Sequence, residues 1–121
     1  MVGEGVLLGD LLRVPDKWWG FEAMGRKNHP GACVGYDQRG FQVTMLKGTD
    51  THSARRDETH VYVQPDDDNG LTKTTAFAIK PYCGSARRVS TFKHDRYLGR
   101  LAKDDLQAMQ AVLCRLFDDE D

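Results

Sequence analysis

Two polar segments contain residue types that together could cleave a phosphodiester. The first, residues 25–30, contains Arg26 and His29, and the second, residues 47–53, contains Thr49. A guanidinium neutralises charge that develops on a phosphate, an imidazole moves protons, and a hydroxyl hydrogen-bonds a phosphate oxygen. We therefore take these three side chains as candidate catalytic residues. The residue types alone leave a second interpretation open, in which they are ordinary polar residues of two loops.

The two polar segments are expected to meet because they flank a predicted hairpin. Residues 31–36 and 41–45 have the pattern of two strands, and a tight turn at 37–40 joins them. The strands of a hairpin are antiparallel, so the segment before the first strand and the segment after the second lie at one end. The polar run over residues 47–58 predicts a loop at that end.

The remaining patterns predict a mainly β protein that ends in a helix. Further short strands are expected at residues 6–14, 60–63, 74–79 and 88–92. Apolar residues then recur at helical spacing over residues 103–117. Several short strands followed by one helix favour a small, mainly antiparallel β-barrel with a C-terminal α-helix packed on it.

The length and composition predict one domain in an intracellular setting. The chain has 121 residues and a formal charge of −1, and we expect a single domain over 1–117 with an acidic tail at 118–121. The charge is segregated, since residues 84–100 sum to +4 and residues 101–121 to −4. No apolar run is long enough to span a membrane, and no basic leader precedes one, so we expect a cytoplasmic protein. The spacing of the histidines and cysteines predicts neither a metal site nor a cofactor.

Four short motifs resemble, in their order, those of the PemK/MazF family, the toxins of type II toxin–antitoxin modules. They span about residues 26–117, and the last of them leads into the predicted helix. The motifs are His29-Pro30 before Ala32-Cys33-Val34, then Val43-Thr44-Met45-Leu46-Lys47-Gly48-Thr49-Asp50, then Gly70-Leu71-Thr72-Lys73-Thr74-Thr75, and finally Tyr97-Leu98-Gly99-Arg100-Leu101.

This resemblance implies a fold, an activity and partners. It implies an SH3-like barrel, a homodimer, and metal-independent endoribonuclease cleavage of single-stranded RNA. The 2′-hydroxyl would attack the adjacent phosphate and leave a 2′,3′-cyclic phosphate and a 5′-hydroxyl. A cognate antitoxin would block the RNA groove with an extended acidic segment. Carried over by position, the family's catalytic arginine falls at or near Arg26 to His29, and its hydroxyl residue falls on Thr49.

Six further residues are candidates for RNA binding. Extruded bases would stack on Trp18 or Trp19, although one of the two is equally expected to fill the core. Four cationic side chains would contact the phosphates. These cations are Lys27, Lys47, Lys73 and Lys80.

The chain also departs from the family pattern, which keeps two other functions open. His29 rather than arginine precedes Pro30, and no acid follows Lys80 where some members have one. The alternative is therefore a catalytically inactive barrel of the same fold that binds RNA or a protein. A gyrase-poisoning toxin on this barrel ranks last, because those toxins look to a C-terminal Trp-Gly-Ile end that residues 117–121 lack.

Overall fold

The part of the chain that the structure describes forms seven strands and two helices. The computed structural model describes residues 5–20, 28–54, 56 and 58–117. The elements in chain order are β1 (Asp10–Pro15), β2 (Asn28–Tyr36), β3 (Gln42–Asp50), β4 (His60–Val63), β5 (Thr75–Ala78), β6 (Tyr82–Ser85), α1 (Ala86–Arg96), β7 (Tyr97–Arg100) and α2 (Lys103–Phe117).

All strand pairs of the sheet are antiparallel, and β3 lies at its centre. The strand order is β4-β5-β3-β2-β1-β7, and β6 also pairs with β3. One edge of β3 is shared, because its first residues pair with β6 and its last residues pair with β5. The sheet curls into a half-barrel. The predicted fold class, mainly β and antiparallel with a C-terminal helix, is confirmed.

Alternating side chains of the strands fill two cores on opposite faces of the sheet. Leu12, Val14 and Cys33 belong to the core that α1 covers, whereas their neighbours Leu11 and Ala32 belong to the core that α2 covers. The period of two along a strand sends adjacent side chains to opposite faces. Both faces of the central strands are therefore buried, and functional side chains are left to the strand ends and the loops.

The C-terminal helix forms as predicted, but the strand predicted at residues 88–92 is wrong. That segment belongs to α1, which Ser85 caps by accepting a hydrogen bond from the Arg88 backbone N–H at 3.0 Å. Ala86, Val89 and Phe92 recur every third residue and pack into one core. This helical spacing, combined with the serine cap, outweighs the short alternation that suggested a strand.

Strand boundaries differ from the prediction in ways that matter for the candidate site. The predicted loop over residues 47–58 is wrong at its start, because β3 continues to Asp50. The first strand starts at Asp10 rather than at residue 6. Two strands, β6 and β7, were not predicted; each has only four residues. Such short segments carry too little periodicity to be detected.

A glycine turn brings the segment before β5 against the segment after α1. Gly70 has a φ of +70°, and a Cβ there would lie 2.0 Å from the Leu98 carbonyl oxygen. Only glycine accommodates both the left-handed conformation and this approach without strain. Gly70 and Leu98 thereby form one wall of the cavity described below.

Candidate functional site

His29 and Thr49 lie at the same end of the β2–β3 hairpin, as predicted. The β2–β3 ladder ends at the pair Gly31 and Lys47, and His29 and Thr49 each lie two residues beyond that pair on their strands. Both side chains line a cavity of about 280 Å³. The antiparallel pairing therefore joins two candidate residues that are 20 positions apart in sequence.

The cavity that contains His29 and Thr49 is lined mostly by polar residues from five parts of the chain. We call it the hairpin-end cavity. These polar residues come from β1, the start of β2, the end of β3, the loop after β3 and the segment that leads into β5, and Leu98 of β7 adds an apolar wall. Its polar side chains are those of Arg13, Asn28, His29, Thr49, Asp50, Ser53, Thr72, Lys73 and Thr75.

A buried carboxylate holds the imidazole of His29. Asp16, which is 1% exposed, lies in the turn after β1, and its Oδ1 forms a very short contact with His29 Nδ1. A carboxylate acceptor at Nδ1 favours the tautomer with the proton on Nδ1, which leaves Nε2 as the basic nitrogen. The His29 side chain is 26% exposed, so its ring is reachable from the cavity. Asp16 was not predicted as a site residue.

Arg13 is a second site residue that the sequence analysis missed. It lies on β1 directly opposite Pro30 of β2, it is exposed, and it lines the hairpin-end cavity. Its side chain has no hydrogen bond or ion pair with any residue that the structure describes. A guanidinium in that position is available to an anionic ligand. The sequence feature that could have indicated Arg13 is a single arginine among the apolar residues of β1. Its role becomes interpretable only once β1 is placed beside β2.

Asp50 organises the loop after β3 and draws Lys73 to the cavity. Its carboxylate accepts hydrogen bonds from the Ser53 backbone N–H at 2.8 Å and from Ser53 Oγ at 3.2 Å. These hydrogen bonds, with a smaller contribution from Lys73, lower the pKa of Asp50. Lys73 Nζ lies 4.0 Å from the same carboxylate. Lys73, a predicted RNA-binding residue, is thus placed beside His29 and Thr49, and its side chain remains 69% exposed.

The end of α1 is also connected to the cavity. Arg96 Nη1 donates a hydrogen bond to Asn28 Oδ1 at 2.7 Å. Asn28 directly precedes His29 and lines the cavity with it. This contact orients the Asn28 amide. It also brings a third cationic side chain, in addition to Arg13 and Lys73, close to the cavity.

A second cavity adjoins the first and contains two more of the predicted lysines. It also measures about 280 Å³, and it shares Thr49 and Ser53 with the hairpin-end cavity. We call it the adjoining cavity. Its other lining residues are Lys47, Glu58, Ala78, Lys80 and Tyr82. The predicted RNA-binding residues Lys47 and Lys80 therefore lie together in the adjoining cavity, whereas His29 lies in the hairpin-end cavity.

The two tryptophans have different environments. Trp19 is 3% exposed in the core under α1, so its ring is not open to a base. One of the two tryptophans was expected to fill the core, and Trp19 is that one. Trp18 is half-buried and lies against Gly84, where a Cβ would come within 2.4 Å of its ring. Tyr82 joins both indoles in one aromatic cluster, with its ring centroid 4.8 Å from that of Trp19 and 6.3 Å from that of Trp18.

Two predicted site residues, Arg26 and Lys27, lie outside the described residues, as does the acidic tail at 118–121. Within the described part of the chain, no three His, Cys, Asp or Glu side chains are grouped so as to hold a metal ion. In the same part, neither helix is long and apolar enough to cross a membrane.

Comparison with known proteins yields no match from which a function could be inferred. No family model, no curated protein and no solved structure matches the chain. The chemistry of the hairpin-end cavity and its neighbours is therefore the basis for a function.

Proposed function

We propose that this protein is an endoribonuclease of the PemK/MazF type that cleaves single-stranded RNA in the hairpin-end cavity. The observation that carries the proposal is the placement of His29 and Thr49 in one cavity with Arg13 and Lys73. A general base can take the proton of the 2′-hydroxyl, and a hydroxyl and two cations can stabilise the charge that develops on the phosphate as the phosphodiester is cleaved.

In the proposed reaction, His29 Nε2 takes the proton of the 2′-hydroxyl. The 2′-oxygen then forms a bond to phosphorus, and the bond between phosphorus and O5′ breaks. The imidazolium returns a proton, directly or through water, to the departing O5′, so no net proton is exchanged. The products are a 2′,3′-cyclic phosphate and a 5′-hydroxyl, and every step uses side chains of this chain.

The other residues of the cavity have supporting roles in this proposal. Thr49 Oγ1 donates a hydrogen bond to a phosphate oxygen, and the cations Arg13 and Lys73 stabilise the charge on the pentacovalent phosphorane. Asp16 is a positioning residue that keeps the imidazole in the reactive tautomer. His29 thus takes the place that arginine holds before the proline in the family, with the phosphate charge left to other cations.

The decisive experiment incubates the purified protein with a long defined single-stranded RNA in EDTA and maps the fragment ends. The wild type is compared with His29→Ala and Thr49→Ala, and with Arg39→Ala as the matched control. Arg39 lies in the turn at the opposite end of the β2–β3 hairpin. Discrete cuts with 5′-hydroxyl ends, slowed about 100-fold or more by His29→Ala and unchanged by Arg39→Ala, would support the proposal.

Intact RNA in every lane would refute the nuclease. Retained binding of the same RNA would then favour the alternative, a catalytically inactive barrel that acts as a binding module. The homodimer and the cognate antitoxin belong to the same proposal and rest on the resemblance alone. A cytoplasmic location, expected from the sequence patterns, is proposed with them. Light scattering of the purified protein tests the dimer, and co-expression with the adjacent gene product tests the antitoxin.

A further inference from the structure

We propose that the adjoining cavity is a base-recognition subsite that selects guanine in the nucleotide next to the cleaved bond. This inference rests on the proposed function, because it assigns the neighbour of the nucleotide that reacts at His29. It is argued from the two lining residues that the cavities share, from the chemistry of the second cavity, and from the presence there of one carboxylate among cations.

The shared lining residues make the second cavity reachable by the same RNA strand. Thr49 and Ser53 line both cavities. A phosphate held at Thr49 in the first cavity therefore has its flanking nucleotide at the entrance of the second. A single strand follows such a path readily, because its bases are unpaired and can turn individually into separate pockets.

The adjoining cavity combines an aromatic ring with cations, as sites for single-stranded nucleic acids do. The Tyr82 ring is half-buried and is held edge-on by Trp19, so its orientation is determined by the core. Lys80 Nζ lies 5.8 Å from the centroid of that ring. A base stacking on Tyr82 would displace this exposed ammonium onto the adjoining phosphate, which exchanges a cation–π contact for a charge-assisted hydrogen bond.

Glu58 decides which base fits. Its side chain is 31% exposed and lines the cavity, and its Oε2 lies 3.7 Å from Nε2 of His60. The His60 side chain is 5% exposed, and its Nε2 is buried without a hydrogen-bond partner among the described residues. A carboxylate repels phosphate, so in a cavity that takes RNA its favourable role is to accept hydrogen bonds from a base.

Guanine alone presents two N–H donors side by side on its Watson–Crick edge, at N1 and at the N2 amino group. The two oxygens of the Glu58 carboxylate match this pair. Adenine and cytosine place an acceptor beside their amino group, and the N3–H of uracil lies between two carbonyl oxygens. Each of these three bases would bring an acceptor against the carboxylate, which costs binding.

A binding experiment tests this subsite without requiring cleavage. The probes are fluorescent 2′-O-methyl oligonucleotides of eight uridines, in which one central uridine is replaced by guanosine, adenosine, cytidine or inosine. Fluorescence anisotropy with the wild-type protein should show tighter binding of the guanosine probe, by about ten-fold or more over the all-uridine probe. Inosine lacks the N2 amino group and should lose most of that advantage.

Glu58→Gln identifies the residue responsible. Glutamine offers one acceptor and one donor, so this variant should lose the preference for guanosine and gain affinity for adenosine. Asp67→Asn is the matched control, since it removes one negative charge from an exposed turn residue that lines neither cavity. Tyr82→Leu should weaken the binding of all probes, whereas Tyr82→Phe should retain it. Circular dichroism checks that each variant is folded.

The two proposals fail in different ways. Equal binding of all five probes by the wild type, or a guanosine preference that survives Glu58→Gln, would overturn the subsite while leaving the nuclease intact. An intact long RNA with a guanosine preference that depends on Glu58 would overturn the nuclease and leave the subsite. If both stand, mapped cuts should have a guanosine at one fixed position beside the cleaved bond.

Discussion

Replacing Lys93 by methionine should strongly destabilise the fold, because it removes the cation from a buried carboxylate. Asp10 is completely buried, and its Oδ2 accepts hydrogen bonds from Lys93 Nζ at 2.6 Å and from the Leu7 backbone N–H at 2.7 Å. Lys93 Nζ also donates to the Gly5 carbonyl oxygen at 2.7 Å. This ion pair connects α1 to the start of β1 and to the segment before it.

The size of the effect follows from the burial of the two partners. Removing one partner of a buried ion pair costs about 3–5 kcal/mol, since the other charge stays desolvated. The Lys93 side chain retains 24% of its exposure, so water can partly replace it, and we expect the low end, about 3 kcal/mol. For a chain of this size, a loss of about 1 kcal/mol lowers Tm by about 4 °C, which gives a fall of about 12 °C.

Thermal and urea unfolding, followed by circular dichroism, measure this change. The series comprises Lys93→Met, Asp10→Asn and the double variant, with Lys103→Met as the control on an exposed lysine of α2. The control should change the free energy of unfolding by no more than about 0.5 kcal/mol. The double variant should be more stable than the sum of the single losses predicts, because the uncompensated charge is gone. A Lys93→Met variant as stable as the control would refute the reasoning.

Two further predictions concern the site and the core. Arg13→Ala should slow RNA cleavage about 100-fold. The cation-preserving Arg13→Lys should recover only part of the rate, because lysine lacks the planar fork of the guanidinium. Single-turnover kinetics measure both variants, and equal rates for Arg13→Ala and wild type would exclude Arg13 from the reaction. Burial raises the pKa of the Cys33 thiol to about 12 from an ordinary 9.0, so folded Cys33 stays a neutral thiol where unfolded Cys33 ionises. Its contribution to stability is therefore complete below pH 9.0 and lost as the pH rises towards about 12. Urea unfolding over that range should show a shallower pH dependence in Cys33→Ala than in wild type, and identical slopes would contradict this assignment.

The sequence by itself determined the fold class and one end of the site. The apolar run in β2, the alternation in β3 and the tight turn between them are local features, and an antiparallel hairpin necessarily brings its two outer ends together. His29 and Thr49 could therefore be paired without knowledge of the rest of the fold. The C-terminal helix α2 was equally predictable, because its apolar spacing extends over several turns.

Only the tertiary structure decided which other side chains meet His29. Asp16 reaches His29, and Arg13 reaches the cavity, because β1 pairs with β2. Strand order in a sheet is set by long-range packing rather than by local pattern. The same packing buries Trp19 and leaves Tyr82 at the adjoining cavity, although nothing in the sequence around these two aromatic residues distinguishes them. The physical reason is that burial depends on what covers a residue. Here α1 and β6 cover this region; part of α1 was predicted as a strand, and the four residues of β6 are too few to show a period.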